Sequence, residues 1–81
     1  MEPTKIEAAL RQKIAEYVYD GERDDFGVDE DLFNLGLDSL DVNRLMVFIE
    51  DELGAVIPDD DVVPENISTL KALVALVQKH R

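Results

Sequence analysis

Apolar residues recur along most of this chain at helical spacing. Ile6, Leu10, Ile14 and Val18 repeat every four residues and share one face of a predicted helix, with Ala9 and Tyr17 beside them. Thr4 and Glu7 have capping-box spacing, so each can satisfy a free backbone N–H at the helix start. Asp20-Gly21 is the expected stop, with Gly21 in the left-handed conformation that needs no Cβ. A second helix is expected from Asp38 or Ser39 to Leu53, stopped by Gly54. Its core positions, Val42, Leu45, Met46, Ile49 and Leu53, follow the i, i+3, i+4, i+7, i+11 pattern. Leu40, Arg44 and Val47 fall on a different face, with Asp51 below them. Pro58 and Pro64 punctuate the next stretch, and Glu65-Asn66-Ile67 reads as a short helical turn. Ser68 is the expected cap of a last helix, whose buried stripe is Leu70, Leu73, Val74 and Val77. Its late cations Lys79 and Arg81 suit the negative end of the helix dipole.

No segment alternates as a strand does, so the expected class is all-α, a small four-helix bundle of three main helices and a short third one. Residues 21–37 form a long connection between the first two helices. Long loops in small domains are usually functional or anchored. Phe26, Val28, Leu32, Phe33, Leu35 and Leu37 can pin this one, and Asp29–Phe33 could make one helical turn. At 81 residues the chain is expected to be a single domain, 1–81, and a monomer. A core of this size seldom supplies more than ~3–5 kcal/mol.

Charge narrows the partners. Eight Lys+Arg stand against nineteen Asp+Glu, a net charge of −11. It is concentrated in the middle: residues 20–31 hold seven acids and one base, and residues 38–61 hold eight acids and one base. Nucleic acid and anionic lipid are poor partners for such a surface, and a basic protein surface is a good one. The longest apolar run, Ala72–Val77, is too short to span a membrane. The start of the chain shows no secretory signal, so the expected location is the cytoplasm.

Much chemistry is ruled out by composition. There is no cysteine, and the one histidine is His80, next to the chain end. A thiolate or zinc site and a histidine-based triad are therefore not expected, nor is a resident metal. Asp59-Asp60-Asp61 suggests calcium, but the EF-hand spacing meets Val63 where an oxygen ligand is needed, and a loop opened at Asp29 meets Phe33 there. Tyr17, Phe33 and Phe48 are expected in the core, and His80 in a solvated tail.

The informative segment is Leu35-Gly36-Leu37-Asp38-Ser39-Leu40-Asp41. It places a hydroxyl at the start of a helix, after a glycine-containing loop and within an acidic field. Free N–H groups and partial positive charge at a helix start stabilise an attached phosphate. An ordinary N-cap would use the same residue types.

The chain resembles the acyl carrier proteins, the family that carries 4′-phosphopantetheine. The resemblance runs through Phe33-Asn34-Leu35-Gly36-Leu37-Asp38-Ser39-Leu40-Asp41, the acidic run Glu50-Asp51-Glu52-Leu53, Ile57-Pro58-Asp59-Asp60, and Ser68-Thr69-Leu70. It implies a four-helix bundle and a Ser39 that accepts 4′-phosphopantetheine from coenzyme A through a phosphopantetheinyl transferase. The arm's thiol then holds an acyl or aminoacyl group as a thioester, which supplies the thiol the sequence lacks. Asp38 matches the family residue before the serine and Leu40 the apolar residue after it. Asp41, Arg44, Val47, Glu50 and Asp51 are the docking candidates. The implied partners are that transferase, a loading ligase or transferase, and synthase enzymes with basic docking patches; no catalytic residue is expected.

On the second helix the sequence departs from the housekeeping fatty-acid pattern. Where that pattern has an apolar residue and a glutamate, this chain has Asn43 and Arg44, which points to a dedicated pathway, polyketide or modified fatty acid among them. The Gly-Gly common before the serine in peptidyl carrier domains is absent. A start at methionine without a flanking linker favours a free-standing protein. An aminoacyl, D-alanyl or peptidyl carrier is the alternative within the class, and an unmodified acidic helical adaptor is the alternative outside it.

Overall fold

The structure, a computed structural model, describes residues 2–81. It is all-helical among those residues: α1 (Pro3–Tyr19), α2 (Ser39–Phe48), α3 (Pro64–Ile67) and α4 (Leu70–His80). The chain continues from α2 into a wider five-residue turn, Ile49–Leu53, and a single 3-10 turn, Asp59–Asp61, precedes α3. The expected four-helix bundle is therefore present.

Each helix end has a local cause. α1 starts at Pro3, one residue before the expected capping box, and Thr4 lies inside it. Proline lacks an N–H and has its φ preset, so it is favoured in the first turn and no side-chain cap is needed. Glu2 occupies the cap position, and its carbonyl accepts from the N–H groups of Lys5 and Ile6. At the other end Asp20 enters the left-handed region ahead of Gly21 (φ +54° and +78°), and the Gly21 N–H donates to the Ala15 carbonyl at 3.0 Å. The helix continuing α2 does end at Leu53, with Gly54 at φ +70°. α4 is capped by Thr69 and not by Ser68: Thr69 Oγ1 accepts from the Ala72 N–H at 3.1 Å. The Ser68 hydroxyl instead donates to the Pro64 carbonyl, closing α3.

The core forms where α1, α2 and α4 meet. Ile6, Leu10, Ile14, Leu45, Ile49, Leu70, Leu73 and Val77 are fully buried in it. α1 packs mainly on α4, which also meets α3. Flanked on two sides, α4 buries Leu76 as well, while Val74 is only half-buried. The connection 21–37 is held without a helical turn of its own. Phe26, Leu32 and Leu37 are buried. Arg11 of α1 donates to the carbonyls of Asp24, at 2.7 Å, and Phe26, and lies over the Phe26 ring. Two backbone bonds tie the loop to the other end of the chain, Leu32 N–H to the Ser68 carbonyl at 2.8 Å and Lys71 N–H to the Val28 carbonyl at 3.0 Å. Asp29–Phe33 is not helical; the loop turns instead at Leu32–Gly36 through i→i+3 bonds. Phe33 is exposed, contrary to expectation, because that turn points its side chain outward while Leu32 and Leu37 take the core positions.

His80 is no solvated tail. Its ring is largely covered, and Nε2 lies 2.6 Å from Asp61 Oδ2, with Lys79 Nζ 3.3 Å from the same oxygen. The Arg81 side chain donates to the Leu53 carbonyl at 3.0 Å, at the end of the second helix. The last three residues thus fasten α4 to both ends of the segment between α2 and α3. Hydrogen bonds from His80 and Lys79 hold the Asp61 carboxyl below its usual range. A depressed folded-state pKa gives stability that is present above the unfolded value, near 3.9, and lost as the pH falls through the folded one. Asp61→Asn is therefore expected to lower the melting temperature at pH 5–6, with the gap to wild type closing below about pH 4. A gap unchanged down to pH 2.5 would contradict this origin.

Candidate functional site

The site is built at the start of α2. Gly36 has φ +116°, a conformation that disfavours any side chain, and it turns the loop so that Leu37 enters the core and Asp38 leaves it. Asp38 is extended (φ −120°, ψ 179°) and is the N-cap. Its Oδ1 accepts from the Asp41 N–H at 2.8 Å, and Asp41 Oδ2 accepts from the Asp38 N–H at 3.2 Å, a reciprocal capping box. Ser39 is then the first residue of the helix and is exposed. With the cap position filled by its neighbour, the Ser39 hydroxyl is left outside the cap. The backbone N–H groups of Ser39 and Leu40 have no acceptor among the described residues. An exposed hydroxyl beside two unpaired N–H donors at the positive end of a helix is the donor set that a covalently attached phosphate requires.

The sequence candidates divide around this point. Leu40 and Val47 project outward, 65% and 57% exposed. Glu50 and Asp51 are exposed on the following turn. Asp41, expected among the docking residues, is turned inward. It is 8% exposed, because its carboxylate is turned in to close the capping box and to accept from Arg44 Nη1 at 3.3 Å. Arg44 keeps 58% of its side chain exposed, and its guanidinium sits 4.4 Å from the centre of the Tyr17 ring on α1. Burial raises the Tyr17 phenol above its ordinary pKa, with Arg44 opposing the shift. Tyr17 and Phe48 are both half-buried against the core, and Phe48 lies beneath Lys13 Nζ.

Two exposed apolar residues, Phe33 and Val56, were not expected as surface. Val56 lies outside because the stretch is extended, with Ala55 buried and Ile57 half-buried on either side of it. For Phe33 nothing in the pattern separated it from its buried neighbour Leu32.

Known proteins share the family and the fold of this chain. The family described as "phosphopantetheine attachment site" matches residues 8–77. An acyl carrier protein of Zymomonas mobilis is 44% identical over 50 residues, an alignment spanning 62% of each protein. The chain thus covers a little under two thirds of that relative's length. A probable acyl carrier protein of a Serratia species is 33% identical over 75 residues, covering 91% of this chain and 86% of the relative. Among solved structures, the fold is shared with a chain from the Bradyrhizobium japonicum glycine:[carrier protein] ligase complexed with its cognate carrier protein, at a TM-score of 0.73 and 23% identity over 96% of this chain and 97% of that one. The same ligase with glycylated carrier protein gives a TM-score of 0.69, also at 23% identity, over 91% and 96%. The family match covers most of the chain and includes the capped helix start that leaves Ser39 free; this chain belongs to the phosphopantetheine-binding acyl carrier protein family.

Proposed function

We propose that Ser39 is the residue to which 4′-phosphopantetheine is attached, and that the chain carries acyl cargo between partner enzymes of a biosynthetic pathway. The observation that carries this reading is the free Ser39 hydroxyl at the first position of a helix already capped by Asp38. The unpaired N–H groups of Ser39 and Leu40 would be the donors for a phosphodiester on Oγ, and the helix dipole would favour its charge. Asp38 and Asp41 fix the backbone of the helix start that carries the hydroxyl. When bound, the group supplies the terminal thiol that a chain without cysteine lacks. The partner enzymes perform the chemistry, and the chain supplies position and recognition. The partners of this reading are a phosphopantetheinyl transferase, a loading ligase or transferase, and downstream enzymes that dock on the acidic part of the surface. The proposed location is the cytoplasm; no helix among the described residues is long and apolar enough to cross a membrane.

The test is intact-mass measurement after incubation with coenzyme A, magnesium and a promiscuous phosphopantetheinyl transferase. A gain of one phosphopantetheine is expected. No gain would leave the chain as an unmodified acidic adaptor. Aminoacyl cargo is a second reading, supported by the glycylated carrier protein named in one of the structures that share the fold. The mass of the thioester on protein purified from its native host separates it from acyl cargo.

A further inference from the structure

We infer that the docking face beside Ser39 is bipolar, and that it fits a partner enzyme presenting an acidic side chain opposite Arg44 and basic side chains opposite Glu50 and Asp51. The inference rests on the carrier reading above. It follows from how side chains are sorted along the outward face of the second helix. Leu40, Arg44, Val47 and Asp51 are spaced i, i+4, i+7, i+11, and all four are exposed. Asp41, the one acid between Ser39 and Phe48, faces inward, with its oxygens engaged by the Asp38 N–H and by Arg44. The part of the face nearest Ser39 therefore shows two apolar side chains and a cation. Asp38, exposed beside Ser39, has its carboxylate engaged in the cap, and past it the exposed acids of the helix begin at Glu50.

The cation is placed in advance. Arg44 is gripped by Asp41 and stacked on Tyr17, yet more than half of its side chain faces solvent. One of the five guanidinium N–H donors is directed at Asp41, which leaves donors for a carboxylate. A side chain already held loses little freedom when a partner arrives. Asp51 lies seven positions beyond Arg44, a rise of about 10 Å. That is about one Debye length at 0.1 M salt, so the two signs are read separately. A uniformly basic patch is attracted at the Asp51 end and repelled at Arg44. One acid opposite Arg44 turns the repulsion into a pairing that also fixes the direction of docking, with Leu40 and Val47 supplying apolar contact.

The experiment uses the full chain and a phosphopantetheinyl transferase whose carrier-docking patch is uniformly basic. A set of single Lys→Glu and Arg→Glu variants of that patch accompanies it, each normalised to its activity on a neutral pantetheine-acceptor peptide. kcat/KM is read by intact mass in 50 mM and 500 mM NaCl. With the unaltered transferase, Arg44→Glu is expected to raise kcat/KM about fivefold at low salt, the size of one exposed charge pair. One transferase variant should reverse the order, favouring wild type over Arg44→Glu, and the reversal should shrink at high salt. Arg44→Gln, which loses both the clamp and the charge, should fall between the two. Loss of clamping alone cannot produce a reversal that depends on the transferase's charge. If wild type and Arg44→Glu keep the same ratio with every transferase variant, the bipolar face is overturned and the carrier reading stands. If even wild type gains no mass, the carrier reading itself fails.

Discussion

Ser39→Ala is expected to abolish phosphopantetheinylation while leaving the melting temperature within about a degree or two of wild type. The two halves of this result come from the same geometry. Ser39 is the first residue of α2 and not its cap, so the side chain that stabilises the helix start is that of Asp38. Alanine is the best helix former, and at this position it removes no hydrogen bond that the fold uses. The chemistry is lost because Ser39 is the one serine whose hydroxyl the fold leaves free at a helix start. The Ser68 hydroxyl donates to the Pro64 carbonyl, and Thr69 Oγ1 is occupied in capping α4. Asp38→Ala provides the converse case: the hydroxyl remains, but loss of the cap costs about 1 kcal/mol. Intact mass and thermal melting of the two variants separate the roles. Mass gain persisting in Ser39→Ala, or a modified peptide containing Ser68 or Thr69, would refute the assignment of Ser39.

Leu73→Ala is expected to leave the chain largely unfolded at 37 °C. Leu73 is fully buried where α4 packs against α1. Truncating a buried leucine costs about 2–5 kcal/mol, through lost transfer energy and the cavity that remains. A core of this size supplies only about 3–5 kcal/mol, so one cavity consumes most of it. Charge adds to the sensitivity, because a net charge of −11 repels itself in the folded state. Chemical denaturation with circular dichroism checks the prediction. A loss below 1 kcal/mol would mean that α4 collapses onto α1 and refills the space. Val74→Ala, one residue on and only half-buried, is the control and should cost far less.

The identity of each helix was legible in the sequence because helical periodicity is a local property. Ile6, Leu10, Ile14, Val42, Leu45, Ile49, Leu70, Leu73 and Val77 all read as core from spacing alone, and all nine are buried. The Asp38-Ser39 helix start and the stop at Gly54 were legible for the same reason, since caps and left-handed stops depend on neighbours a few residues apart. The motif around Ser39, with its downstream acidic and Ile57-Pro58 elements, was enough to indicate the carrier family.

Only the tertiary structure decided what depends on residues distant in sequence. His80 looked like a solvated tail until the end of α4 was brought against Asp61, nineteen positions away. Arg81 meets the Leu53 carbonyl through the same return of the chain. Arg44 read as a cation on a docking face, and the packing of α1 against α2 showed that Tyr17 holds it there. Asp41 is the exception, a local feature the sequence reading passed over: its partners Asp38 and Arg44 lie three positions to either side, the spacing of a capping box and of an i, i+3 ion pair. Sequence periodicity determines which side of a helix avoids water, because that follows from 3.6 residues per turn. It does not determine which charged group on the other side finds a partner, because that partner is supplied by another element of the fold.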